Sequence, residues 1–74
     1  MVDLNIKYSD TITILESEDK GFLMRLWIVL AENELPVTDF VNNTITVTGL
    51  ISLDKIREVI NEQFNPKVIN ICIE

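Results

Sequence analysis

Histidine is absent from this 74-residue sequence, cysteine occurs once, and glycine and proline occur twice each. Each scarcity closes off a class of structure or function. The lone Cys72 cannot form an intrachain disulfide, and without a histidine nothing of that kind stands ready to activate its thiol. Few Gly and Pro among plentiful Ile, Val and Leu exclude disorder. Cations are also scarce: six Lys and Arg against twelve Asp and Glu give a net charge of −6. Nucleic-acid binding rests on cationic side chains neutralising phosphates, so such a surface is repelled by a nucleic-acid backbone. Long apolar runs are missing as well. The longest, Phe22 to Ala31, is interrupted by Arg25 and is too short to span a bilayer. Met1 to Tyr8 alternates apolar and polar residues and lacks the apolar core of a signal peptide, so the expected location is cytoplasmic and no membrane partner is expected.

What is present suits one small domain covering residues 1–74. Apolar residues make up 47% of the chain, a normal globular fraction. A chain of this size buries only roughly 60% of the surface that its unfolded form exposes. With disulfides and metal ligands scarce, it must rely on good packing or on self-association.

Val2, Leu4, Ile6 and Tyr8 alternate with polar residues, and Ile12 and Ile14 continue the same parity. This segment is either one long kinked strand or a hairpin. As a hairpin with Ser9 to Thr11 as its loop, Tyr8 faces Ile12 and Ile6 faces Ile14, which keeps the apolar residues on one side. Ser17 or Asp19 can cap a helix over Lys20 to Asn33, which Pro36 prevents from extending. Strands over Val37 to Val41 and Thr44 to Thr48 meet across an Asn42-Asn43 turn. In that register Phe40 opposes Ile45, Thr38 opposes Val47, and Val37, Asp39 and Val41 share the other face with the threonines. Ser52 caps a second helix whose Leu53, Ile56, Val59, Ile60 and Phe64 form a single apolar stripe. Asn65-Pro66 ends it, and Val68 to Ile73 is the last strand, with Ile69, Ile71 and Ile73 inward.

The expected fold class is therefore α+β. The β-α-β-β-α-β order predicts a ferredoxin-like sandwich, a four-stranded antiparallel sheet with two helices on one face, with or without an extra N-terminal strand.

Two asymmetries bear on function. The first helix is apolar beyond the stripe that faces the sheet: Phe22, Leu23, Leu26, Trp27 and Leu30 fill the stripe, while Met24, Ile28 and Ala31 lie largely outside it. Those outer residues either wrap into the core or, with Trp27, form a self-association or partner surface. The open sheet face is expected to carry Thr11, Thr13, Thr44, Thr46 and Thr48 with Asp39 nearby. It lacks the aromatic and basic residues that RNA-binding sheets present. Candidate chemistry is thin. Glu16, Glu18 and Asp19 could hold a hard cation, but acids are ordinary at a helix start. Cys72 reads as a small apolar strand residue. A chain this short has little pocket to offer acid–base catalysis, so no enzyme activity and no cofactor are expected.

Thr11 to Leu23 (TITILESEDKGFL) and Val29 to Val37 (VLAENELPV) resemble the start of an ACT domain: a strand, a loop with an acid and a glycine, a helix, and a second strand. The resemblance implies the same β-α-β-β-α-β order, association between copies, and amino-acid binding near the glycine loop. On that likeness Asp19, Gly21 and Phe22 are the ligand-loop positions. The second half, with Thr46-Val-Thr-Gly49 before a capped helix, equally resembles a heavy-metal-associated domain; the paired cysteines of that family are absent, so metal transfer is not implied.

The expectation is thus a non-enzymatic regulatory or interaction module that self-associates, as a homodimer or higher assembly, through Met24, Trp27, Ile28 and Ala31. The alternative is an acidic inhibitor or adaptor that docks on a basic protein surface through Glu16, Glu18, Asp19, Glu32, Glu34 and Asp39.

Overall fold

The N-terminal segment is a hairpin. The computed structural model, which describes residues 1–74, pairs β1 (Val2–Ser9) antiparallel with β2 (Ile12–Glu16) across a loop of only Asp10 and Thr11. Asp10 adopts φ 51, the left-handed conformation that tight hairpin loops demand. Ser9 therefore pairs with Ile12, Tyr8 with Thr13 and Ile6 with Leu15. This corrects the three-residue loop expected from parity. With one residue fewer in the loop, every side chain of β2 changes face. Thr13 and Leu15 turn inward and are buried, while Ile12 and Ile14 move to the other face.

The remaining elements are α1 (Lys20–Glu32), β3 (Val37–Val41), β4 (Thr44–Thr48), α2 (Leu53–Gln63) and β5 (Ile69–Ile73), the last preceded by a 3-10 turn over Pro66–Val68. The strands form one mixed sheet of five, in the order β3-β4-β2-β1-β5. The extra N-terminal strand allowed for is present as β1, and the expected all-antiparallel sheet of four is corrected to a mixed sheet of five. β1 sits between β2 and the last strand, so β5 pairs with β1, and in parallel, with Leu4 beside Ile71 and Ile6 beside Ile73.

The β3–β4 hairpin turns at Asn42-Asn43 as expected, with Asn42 at φ 57, and pairs Phe40 with Ile45. Further along, Val37 and not Thr38 opposes Val47, because a bulge lies between Val37 and Asp39. The extra residue keeps Val37 and Phe40 on the same face, where both pack against the core.

Both helices cover that face. A single cluster of 13 buried apolar residues joins Leu4, Ile6, Leu15, Ile45, Val47 and Ile69 of the sheet to Phe22, Leu23, Leu26 and Leu30 of α1 and Ile56, Val59 and Ile60 of α2. α1 starts at Asp19, whose carboxylate Oδ1 accepts the Phe22 N–H at 3.0 Å. Ser17 is buried and does not cap; its Oγ accepts the Asp19 N–H at 3.2 Å. α2 starts at Ser52, whose Oγ accepts the Lys55 N–H at 3.1 Å.

The loop between β4 and α2 is tied to the first hairpin. Gly49 leaves β4 at φ 92, a conformation that costs an L side chain but not glycine. The Thr13 hydroxyl donates to the Gly49 carbonyl at 2.7 Å and accepts the Ile51 N–H at 2.9 Å. The Tyr8 hydroxyl donates to the Ile51 carbonyl at 2.6 Å. Both polar groups of Ile51 are thus held by side chains of β1 and β2, which fixes where α2 begins.

Candidate functional site: the groove between α1 and α2

The first turn of α1 and the last turn of α2 approach each other at one end of the helical layer. They bound a groove of about 750 Å³, floored by Val2 and Ile69. Phe22 and Phe64 meet edge to face with ring centroids 5.2 Å apart. The Arg25 guanidinium carbon lies 5.0 Å from the centre of the Phe64 ring, within cation–π range. Asp19 and Gly21 line one side of the groove, and Glu62 and Asn65 the other. The three positions that the ACT resemblance singles out, Asp19, Gly21 and Phe22, are therefore brought together here. Two of them have a local duty as well: Asp19 caps the helix and Phe22 is largely core.

Arg25, Glu62 and Phe64 complete the groove and were not singled out from the sequence. Arg25 left one signal, being the only charge within Phe22 to Ala31. Phe64 reads from spacing as one more core residue of α2. Arg25 has no carboxylate partner, because Lys55–Glu58 is the only ion pair in the molecule. Its planar fork of donors is thus free toward a carboxylate, Asp19 and Glu62 supply negative charge for an ammonium, and the two rings supply an apolar wall.

The expected interface residues lie elsewhere on α1. Met24 and Ile28 are 58% and 52% exposed, and Ala31 is also exposed, forming one outer row at helical spacing. Trp27 is half-buried and stacks on Phe40 at a centroid distance of 5.6 Å. The row does not wrap into the core.

The acids are not assembled into a cation site. No three His, Cys, Asp or Glu side chains converge as metal ligands, and one oxygen of the Asp19 carboxylate is taken by the Phe22 N–H. The open sheet face also differs from expectation. Thr13 is buried on the helix side, and Thr44, Thr46 and Thr48 are accompanied by Ile12 and Ile14. Cys72, half-buried on that face, accepts the Asn70 Nδ2 at 3.2 Å. No helix is long and apolar enough to cross a membrane. No protein-family model, curated protein or solved structure matches the chain.

Proposed function

We propose that this chain is a non-enzymatic regulatory or protein-interaction module, ACT-like in use, that self-associates through α1 and takes a small zwitterion such as an amino acid in the groove between α1 and α2. The β2-α1-β3-β4-α2-β5 course supports reading the fold as a ferredoxin-like sandwich into which β1 is inserted between β2 and β5. The observation that carries the proposal is the outer row of α1. Two large apolar side chains four residues apart, Met24 and Ile28, stand more than half exposed beside Ala31 and the edge of Trp27. In a small domain with a core of this size, burying that row against a second copy adds apolar area at little cost in charge. The groove adds the ligand: an unpaired Arg25 for the carboxylate, Asp19 and Glu62 for the ammonium, and Phe22 and Phe64 for an apolar side chain.

Met24→Glu/Ile28→Glu is expected to halve the mass of the assembled protein in light scattering after size exclusion, with the far-ultraviolet circular dichroism unchanged. An unaltered mass would remove α1 as an interface. The groove is checked separately by thermal unfolding in the presence of free amino acids. A ligand at a hundred times its dissociation constant adds about 2.7 kcal/mol, and for a domain of this size each kcal/mol moves Tm by about 4–8 °C. An apolar amino acid that raises Tm in the wild type and not in Arg25→Ala supports the groove, and no shift with any amino acid removes it.

A second reading is the acidic adaptor. Glu16, Glu18, Asp19, Glu32, Glu34 and Asp39 form no ion pair, which leaves them free for a basic protein surface. It would show itself as partner binding that weakens steeply with salt, whereas the apolar α1 contact would not weaken.

A further inference from the structure

The two edges of the sheet are built differently. β3 carries the devices that keep an edge from pairing: a bulge, Asp39 within the strand, and Pro36 just before it. β5 carries none of them along Ile69-Asn-Ile-Cys-Ile73, which is free of charge, proline and bulge, and pairs with β1 in unbroken register. Its two ends expose apolar surface, Val68 just before it at 46% and Ile73 as its last residue at 53%.

The peptide groups of β5 can be assigned to one side or the other. Glu74 N–H donates to the Ile6 carbonyl, so the even residues of β5 direct their backbone groups at β1. By alternation Ile69, Ile71 and Ile73 direct theirs away from the sheet. The Ile69 N–H is used by the Pro66 carbonyl. Five groups remain unpaired along the edge: the Ile71 N–H, the Ile73 N–H and the carbonyls of Ile69, Ile71 and Ile73.

We infer that β5 pairs antiparallel with β5 of a second copy about a two-fold axis at Ile71, joining the two sheets edge to edge. In that register each copy donates its Ile71 N–H to the Ile71 carbonyl of the other, and its Ile73 N–H to the Ile69 carbonyl. The Ile69 N–H, already occupied, is not needed. On the helix side, Ile69 of each copy lies opposite Ile73 of the other, and the two Ile71 side chains meet on the axis. This closes a continuous isoleucine row and covers the exposed Ile73. Charge favours the same orientation. β5 is flanked by Lys67 before it and Glu74 after it, so an antiparallel copy brings unlike charges together at both ends of the seam, and a parallel one would bring like against like. An isologous contact of this kind closes on itself and needs no other partner.

This inference rests on the reading of the chain as self-associating, and adds a contact independent of the outer row of α1, a helix whose main sheet contacts are with β3 and β4. It is tested in the Met24→Glu/Ile28→Glu background, where the α1 row is disabled. That protein is expected to be a dimer in light scattering at high micromolar concentration, half the mass of a wild-type tetramer held by both contacts, and addition of Ile73→Pro is expected to halve its mass again. Proline at 73 removes a donor that faces away from β1, so the sheet of each copy keeps its own ladder. A second measurement fixes the register. About Ile71, Asn70 faces Cys72 of the second copy in a non-hydrogen-bonded pair with Cα atoms about 4.5 Å apart, within disulfide range of about 4.4–6.8 Å. The two native Cys72 residues stand about 8 Å apart there, two strand steps offset. Under mild oxidation Asn70→Cys is expected to give a covalent dimer on a non-reducing gel and the wild type is not. A monomer in the Met24→Glu/Ile28→Glu background whose wild type is a dimer overturns the edge contact and leaves α1 standing. Equal masses for wild type and that double variant, halved by Ile73→Pro, overturn α1 and leave the edge standing. Rapid oxidation of the wild type to a covalent dimer overturns the Ile71 register.

Discussion

Leu26→Ala is expected to cost about 2–5 kcal/mol of folding free energy, about half of what a chain of this length possesses. Leu26 is fully buried in the middle of α1, with Phe22 and Leu23 one turn before it and Leu30 one turn after. Truncating it removes the transfer energy of its methyl groups and leaves a cavity that neighbours fill only in part. Domains are stable by roughly 0.05–0.15 kcal/mol per residue, so about 4–11 kcal/mol is the whole reserve here. At about 4–8 °C of Tm per kcal/mol, the drop is roughly 8–40 °C. Leu50→Ala is the control, because Leu50 is 60% exposed in the β4–α2 loop and its loss is expected to stay within about 0.5 kcal/mol. Thermal and denaturant unfolding of the two variants checks both figures. Similar losses at both positions would mean that burial in the core of α1 is not what stabilises the fold.

Leu26 belongs to the part of the structure that its own sequence neighbourhood specifies. α2 is legible because its apolar residues keep one stripe and Ser52 caps it within the same segment. α1 keeps no single stripe and is legible instead from Asp19 as cap and Pro36 beyond its end. The Asn42-Asn43 turn is legible because asparagine tolerates the φ of 57 that the turn needs. Features that failed to show are those decided by distant residues. The β1–β5 pairing joins Val2 to Ile69, and no local pattern in either strand names its neighbour. The bulge at Thr38 shifts a register by one residue, which alternation alone cannot reveal. The candidate groove is legible by half: Asp19, Gly21 and Phe22 stand together in sequence, whereas Glu62, Phe64 and Asn65 reach them only through the packing of α2.

The β1–β2 hairpin shows most clearly why local pattern is not enough. Ile12 and Ile14 compete with Thr13 and Leu15 for the inner face, and by hydropathy the two isoleucines should win. Two effects reverse that order. The two-residue loop matches the twist of the flanking strands, with Asp10 supplying the positive φ. Thr13, once inside, holds both Gly49 and Ile51, residues 36 and 38 positions away. An inward Ile12 or Ile14 would have left those two backbone groups without that partner. The cost of the observed register is that Ile12 and Ile14 sit on the open face, where each is only half-buried.

Thr13→Val therefore gives the two registers opposite signs. If Thr13 lay on the open face among Thr44, Thr46 and Thr48, as parity suggests, valine there would be neutral or mildly stabilising, since both residues suit an exposed strand. With Thr13 fully buried, valine preserves the shape and removes the hydroxyl, so the Gly49 carbonyl and the Ile51 N–H lose their partner together. Leaving such groups unsatisfied costs about 1–3 kcal/mol each, toward the lower figure here because the loop is only part-buried. The expected result is a loss of about 2–4 kcal/mol in denaturant unfolding. Thr13→Ser keeps both hydrogen bonds, gives up one methyl group, and is expected to lose about 1 kcal/mol. Hydrogen exchange locates the effect: the Ile51 amide should become much less protected in Thr13→Val and stay protected in Thr13→Ser. Because the same loop sets the start of α2, loosening it should also disturb the groove at the far end of that helix, seen as a weaker amino-acid shift in Tm. A Thr13→Val protein as stable as the wild type would return Ile12 and Ile14 to the inner face and with them the three-residue loop.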